Sequence, residues 1–257
     1  MSKTHRQHGK TGFVEDQRDF FDKLITQDWE EYQSPIWNKQ RQFEVRQILR
    51  LIPPPRRVLN VGCGCGYQDR EFARTAAVEA VIGIDNSVNS VKQANLHYPH
   101  PKVERVVADI FDPDTLVKRF GRFDLVVSFQ VLEHLSRPEE FLAACATLAR
   151  DRGHVVIVTP NQKRLGNRIL ALFGRQPQLS DPLHFTEYSL AELRQLGNRL
   201  GERSIKLHYL ARFGYDFHLA LKGITLIGPE TPFTMELGAL FPGLANIIGV
   251  IFQKSAP

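Results

Sequence analysis

Val58-Leu59-Asn60-Val61-Gly62-Cys63-Gly64-Cys65-Gly66 is the stretch that decides the fold. Arg57–Val61 is a short β-rich run, and three glycines at alternate positions follow it at once. A strand that ends in such a loop lets the chain turn sharply, and lets its backbone approach a ligand where a side chain would intrude. The spacing is G-x-G-x-G, which differs from the dinucleotide G-x-G-x-x-G. Taken alone, such a loop is weak evidence, since a plain tight turn is a competing reading.

Downstream the same pattern recurs. Further β-rich runs occupy Ala80–Ile84, Val103–Val107, Leu125–Ser128 and His154–Thr159, separated by segments long enough for helices. In one of these, Pro138 to Arg150, the residues Phe141, Leu142, Cys145 and Leu148 share a face. Apolar strands alternating with helices predict a largely parallel α/β sheet covered on both sides. Ser204–Leu210 and Asn246–Phe252 read as two more strands, with an irregular stretch containing Pro229, Pro232 and Pro242 between them. Leu190–Leu200 is amphipathic at helical spacing.

Upstream, Asp16 to Ile52 reads as helix, started or restarted at Pro35 and stopped by Pro53-Pro54-Pro55. The expected organisation is therefore a flexible terminus (1–15), a helical cap (16–56) and one α/β domain (57–257) with insertions near 161–182 and 217–243. The 257 residues suffice for one substantial core. A hydrophobic content of 42% and charged content of 24% are ordinary for a globular chain. The net charge of +5 comes without a basic stripe, which argues against a nucleic-acid partner. Three cysteines, two of them in the glycine loop, do not make a disulfide framework and predict a reducing, cytoplasmic setting. Met1 to Lys10 lacks an apolar core, so no secretory signal is expected. Lys222 interrupts the apolar run Phe217–Gly228, and Pro242 with Gly243 breaks Gly238–Phe252, so neither reaches the length of a membrane span.

Ligands of an open parallel sheet bind beyond the carboxyl ends of its strands, so the residues just after each strand carry the functional reading. Asp85 follows the second strand, where an acidic residue beyond a glycine loop usually accepts from ribose hydroxyls; Asn86 or Ser87 would then cap the next helix. Asp109 follows the third, with Ile110 and Phe111 as an apolar wall suited to a base. Ser128-Phe129-Gln130-Val131-Leu132-Glu133-His134 follows the fourth.

In this order, the glycine loop, Gly83-Ile84-Asp85, Ala108-Asp109 and Phe123-Asp124-Leu125-Val126-Val127-Ser128 resemble the successive motifs of class I S-adenosylmethionine-dependent methyltransferases. The match covers roughly Arg57 to Asn161. Val131-Leu132-Glu133-His134-Leu135 with Val158-Thr159-Pro160-Asn161 is most similar to the branch containing the ubiquinone-biosynthesis O-methyltransferases. The resemblance implies a Rossmann-like seven-stranded sheet with its last strand antiparallel, and S-adenosyl-L-methionine as cofactor with S-adenosyl-L-homocysteine as product. It also implies that Gly62, Cys63, Gly64 and Gly66 wrap the methionine portion, Asp85 and Asn86 hold the ribose, and Asp109 and Ile110 hold the adenine, with Phe129 beside them. One departure matters: many members have an acidic residue where this chain has Asn60, whose amide supplies no charge.

If the acceptor is a hydroxyl, a base must take its proton. His184, in Asp181-Pro182-Leu183-His184-Phe185-Thr186-Glu187-Tyr188, and His134 are the candidates, since histidine titrates near neutral pH. The competing reading is that each merely orients its loop. No metal site is assigned. A competing resemblance is to methyltransferases of the 3′-terminal ribose of small RNAs, whose metal ligands would map to Glu133, His134 and His184, with Gln130 where that pattern has a carboxylate. Two functions of a different class also compete. One is a non-catalytic module on the same fold; the other is a nicotinamide oxidoreductase, disfavoured by the loop spacing and by Asp109. The acceptor pocket is expected from Trp29, Tyr32, Trp37 and Tyr67, from Asn161 to Pro182 with Lys163, Arg164, Arg168 and Arg175, and from Phe217 to Gly243. A small-molecule, lipid-linked or glycan acceptor fits, with peripheral membrane contact.

Overall fold

The computed structural model describes residues 35–181, 183–201, 205–217, 219–221, 224–227 and 232–256. Its seven-stranded sheet is built from β1 (Arg57–Val61), β2 (Ala80–Asp85), β3 (Val103–Val107), β4 (Phe123–Phe129), β5 (Ala149–Pro160), β6 (Leu207–Tyr215) and, last in the chain, β9 (Ile247–Lys254). The order is β3-β2-β1-β4-β5-β9-β6. Strands β1 to β5 pair in parallel, and β9 runs antiparallel to both β5 and β6. The expected Rossmann-like sheet with an antiparallel last strand is the observed one.

Period-two alternation in the strands divides the core into two layers. On one face Val58, Leu125, Val127 and Val156 pack with Phe43 and Ile48 of α1 (Pro35–Leu51) and Phe72 of α2 (Tyr67–Ala73). On the other, Leu59, Val61, Val126 and Ile157 pack with Phe141 and Leu142 of α5 (Pro138–Leu148) and with Leu193 and Leu196 of α7 (Leu190–Gly201). β4, at the sheet's centre, is buried at every position. Ser87 accepts from the Ser90 amide and caps α3 (Val88–His97), which leaves the neighbouring Asp85 carboxylate for other partners. Asp112 likewise caps α4 (Pro113–Phe120), with proline in its first turn.

The late part of the chain departs from the sequence expectation. Within the stretch read as irregular lie a hairpin, β7 (Leu219–Leu221) with β8 (Ile224–Ile227), and a helix, α8 (Pro232–Leu240). Pro232 starts that helix rather than breaking it, because a first-turn position needs no backbone donor. The 161–182 insertion contains a helix of its own, α6 (Leu165–Leu172). β6 extends to Tyr215, beyond the expected Leu210. Trp29, Tyr32, Pro182 and Pro229, together with the terminus and the first part of the cap, lie outside the described residues. Among the described residues no helix is long and apolar enough to cross a membrane.

Candidate functional site

A cavity of about 340 Å³ opens at the carboxyl ends of β1 to β4, with α1 as its outer wall. Asn60, Gly62, Cys63, Gly64, Asp85, Asn86, Asp109, Ile110, Phe129 and His134 all line it. Gly66 and His184 do not. Gly66 stands behind the loop, where its carbonyl accepts from the Arg105 guanidinium at 2.9 Å. Tyr67 is also withdrawn, packed edge-on against Tyr98, while Trp37 stays in the lining.

The glycines are there for conformation and for room. Gly62, Gly64 and Gly66 have φ of 72°, 48° and 74°, the left-handed region that side chains disfavour. A Cβ on Gly62 would stand 2.4 Å from Val131 Cγ2. The Gly62 and Cys63 amides both donate to the Ile84 carbonyl, at 2.8 and 2.9 Å, pinning the loop to the end of β2. Asp85 then fixes its far side: Oδ2 accepts from the Gly64 amide at 2.8 Å and Oδ1 from the Ser87 amide at 2.9 Å. A carboxylate has about four acceptor positions, so bracing the loop is compatible with accepting from a ribose as well. Asp109 Oδ1 accepts from the Phe111 amide at 2.9 Å, and the Arg137 guanidinium lies 4.1 Å over the Phe111 ring. Gln130 is held at φ 56°, uncommon for a side chain of its kind, with its amide on the Val158 carbonyl.

Behind the loop lies a buried network. Asn60 Nδ2 donates to Asp69 Oδ1 at 2.7 Å, and Asp69 Oδ2 pairs with Arg105 Nε at 2.6 Å. Asn60 Oδ1 is buried and has no hydrogen-bond partner, although the residue lines the cavity. An orphaned acceptor beside the glycine loop suits the ammonium group of S-adenosylmethionine, and the residues present therefore fit that cofactor. The chain's amide at this position also has a reason: Asp69 already supplies a buried carboxylate at hydrogen-bond distance. Replacing the amide by an acid, Asn60→Asp, places two carboxylates together. It should lower stability by about 2 kcal/mol or more, read from the urea midpoint, and a variant as stable as the parent would refute this account.

Sequence reasoning names Trp37 but misses Asp69, Arg105 and the rest of the cavity face of α1, a face that comprises Trp37, Gln40, Arg41 and Glu44. Those four follow i, i+3, i+4, i+7 spacing, the mark of one helix face, but carry polar groups that an apolar scan passes over. Arg105 had a signal. In Val-Glu-Arg-Val-Val one of two adjacent charges must face inward, and it is Arg105 that is buried while Glu104 is exposed.

The two candidate histidines meet. Their rings are 4.9 Å apart and nearly perpendicular. The loop carrying His184 is drawn in by the Phe185 amide donating to the Glu133 carbonyl at 2.8 Å. His184 Nδ1 lies 3.1 Å from Glu187 Oε1. Burial pushes the Glu187 carboxyl up, but hydrogen bonds from His184 and Ser180, with the Arg164 guanidinium, bring it down to about 2. Burial, with the neighbouring His184, lowers His134 to about 4, so its ring is neutral at pH 7. Glu133 is fully buried, and burial raises it to about 7; its Oε2 accepts from Thr159 Oγ1 at 2.9 Å and its Oε1 has no partner. Ligand atoms of Glu133, His134 and His184 lie within 4.8 Å of one another, a donor set that fits a divalent cation.

The profile of the methyltransferase-domain family matches residues 36–206. The ubiquinone biosynthesis O-methyltransferase of Cupriavidus pinatubonensis is 33% identical over 121 residues, 47% of each chain. The chain thus spans about half the length of the curated relatives it matches. Among solved structures, an S-adenosylmethionine-dependent methyltransferase from Anabaena variabilis superposes with TM-score 0.64 at 11% identity, covering 99% of this chain and 100% of that one. The N-methyltransferase NodS of Bradyrhizobium japonicum, in complex with S-adenosylhomocysteine, superposes with TM-score 0.56 at 12% identity, covering 93% and 98%. Likeness at those identities speaks to the fold.

Proposed function

The chain belongs to the methyltransferase-domain family, of the class I S-adenosylmethionine-dependent kind, and we propose that it methylates a hydroxyl of a small, apolar or lipid-linked acceptor. The observation that carries the reading is a neutral histidine, His134, in the wall of the cofactor cavity, backed by a His184–Glu187 pair.

Bound S-adenosylmethionine supplies a sulfonium methyl group that an acceptor oxygen displaces in line. The chain's work is placement and proton removal. Asp85 and the glycine loop hold the nucleoside end. His134, unprotonated at neutral pH, takes the acceptor's proton, and His184 stands against it with Glu187 fixing its orientation. The acceptor class rests on the insertion after β5. From Asn161 to Ser180 the segment has no acidic residue, and with Arg164 paired to Glu187 it exposes Lys163, Arg168 and Arg175 together with Leu172 (84%) and Phe173 (76%). A basic, apolar edge of this kind suits an anionic lipid surface that carries the acceptor.

A second reading rests on the same three side chains. Glu133, His134 and His184 would hold a divalent cation that positions the acceptor oxygen. Gln130 leaves that set one carboxylate short of the small-RNA pattern, so the reading here is of a metal site rather than of an RNA substrate.

One assay separates the two. Transfer of labelled methyl from S-adenosylmethionine to hydroxylated aromatics and to a lipid extract is measured for wild type, His134→Gln and His184→Gln, with and without EDTA. The base reading expects turnover to fall roughly 100-fold in His134→Gln and less in His184→Gln, cofactor affinity unchanged and EDTA without effect. Unaltered turnover in His134→Gln removes His134 as the base, and unaltered turnover in His184→Gln removes His184 from the mechanism. Loss on chelation, restored by added divalent ion, transfers the three residues to the metal.

A further inference from the structure

Asn60 offers the cofactor's ammonium group an orphaned acceptor but no charge, and the cavity lining includes a carboxylate on α1. Glu44, on the inward face of α1, is 2% exposed and lines the cavity. The other carboxylates in the lining, Asp85 and Asp109, follow β2 and β3, at the nucleoside end. Glu44 lies beside Gln68, the second residue of α2, which follows the glycine loop directly and also lines the cavity. Gln68 Nε2 donates to Glu44 Oε2 at 3.0 Å, while the next residue, Asp69, accepts from Asn60 Nδ2 at 2.7 Å. Gln68 thus ties Glu44 to the turn of α2 that leaves the glycine loop, and Glu44 and Asn60 line the same cavity.

We propose that Glu44 is the anionic partner of the cofactor's ammonium group, acting with the orphaned Asn60 Oδ1 and replacing the charge that Asn60 lacks. An ammonium brings three donors; Asn60 Oδ1 meets one and the Glu44 carboxylate a second. Glu44 has room for it. Its Oε1 accepts from the Tyr215 hydroxyl, Oε2 from Gln68, and Gln40 adds a further hydrogen bond, which together fill three of about four acceptor positions. Tyr215, at the end of β6, and Gln68 fix the carboxylate in place before any ligand arrives, so little ordering remains to be done on binding. Burial raises the Glu44 carboxyl, and the nearby Arg41 guanidinium opposes that rise. A cation arriving in the cavity acts in Arg41's direction and favours the charged form.

The proposal separates cleanly from a bracing role, because only one group of the cofactor is involved. Calorimetry of the full chain is run with three ligands: S-adenosylhomocysteine, its analogue lacking only the amino group, and 5′-methylthioadenosine. For Glu44→Gln, S-adenosylhomocysteine should bind roughly 10- to 100-fold more weakly, while the two ligands without an ammonium keep their wild-type affinities. Tyr215→Phe, which removes a donor but keeps the charge, should retain the wild-type preference for the amino-bearing ligand. Equal loss for all three ligands would assign Glu44 to holding α1 in place, and no loss for any would remove it from the site; either overturns the proposal. A measurement on the wild type needs no variant. The Glu44 carboxyl, followed by carbon NMR, should titrate lower with S-adenosylhomocysteine bound and be unmoved by the deaminated analogue, and a response identical for both would count against the pairing. Unchanged binding of 5′-methylthioadenosine in every protein keeps the cofactor assignment independent of this outcome.

Discussion

Replacing Arg105 with methionine is expected to destabilise the fold by about 3–5 kcal/mol, a large part of the roughly 5–15 kcal/mol that separates a typical domain from its unfolded state. The guanidinium is 1% exposed and the Asp69 carboxylate 0%. Its donors are spread over three elements: Nε to Asp69 of α2 at 2.6 Å, one terminal nitrogen to the Gly66 carbonyl at 2.9 Å, the other to the carbonyls of Ala94 and Tyr98 at the end of α3 at 3.3 and 3.1 Å. Methionine fills comparable volume but meets none of these. Three carbonyls lose a donor, and Asp69 is left as a buried carboxylate with no cation, the costliest outcome for an ion pair in a dry interior. Equilibrium urea unfolding would show the loss as a shift in midpoint at constant slope. Removing the carboxylate as well, in Arg105→Met/Asp69→Leu, should recover part of it, since the stranded charge goes while the guanidinium's hydrogen bonds to the carbonyls are not restored. A single variant within about 1 kcal/mol of wild type would mean that water reaches Asp69 and that the pair is not dry.

That pair marks the limit of what the sequence displays. The sheet is legible because apolar runs of the right length alternate with helices, and because Gly62, Asp85 and Asp109 each fall directly after a strand, where a parallel sheet assembles its ligand site. Their alignment on one edge follows from topology alone. Asp69 and Arg105 are 36 positions apart and Glu44 and Tyr215 are 171 apart, and no local pattern ties either pair together. Each is a polar side chain on a face that periodicity assigns to the core, readable only as an exception until the partner is seen. The histidines are an intermediate case. The residue types point to His134 and His184, but their meeting depends on the Phe185 amide reaching the Glu133 carbonyl across the sheet edge. The stretch after β6 hides its helix for a simpler reason: proline reads as a break, whereas Pro232 occupies the helix start, where it is tolerated.

Asp85→Ala is expected to weaken S-adenosylmethionine binding by roughly 100-fold or more, because it removes two functions of one carboxylate. The first is direct. Hydrogen bonds to a charged acceptor contribute about 1.5–3 kcal/mol each, and two ribose hydroxyls donating to Asp85 would account for at least about 3 kcal/mol, a factor above roughly 100 in affinity. The second is architectural. Oδ2 holds the Gly64 amide at 2.8 Å, and Gly64 sits at φ 48° between two further left-handed glycines, a conformation with little local preference of its own. Without that brace the loop must be ordered when the ligand binds, which adds to the loss. Asp85→Asn distinguishes the two. Its side-chain oxygen can still accept from the Gly64 amide, so the loop stays ordered while the charge is lost, and the loss should be roughly 10-fold. Calorimetry with S-adenosylmethionine and S-adenosylhomocysteine decides: a graded series, wild type above asparagine above alanine, assigns Asp85 both roles. Equal losses for alanine and asparagine would mean the brace contributes nothing. Binding untouched by either substitution would show that the ribose lies elsewhere in the cavity, and that the strand-end carboxylate serves the loop alone.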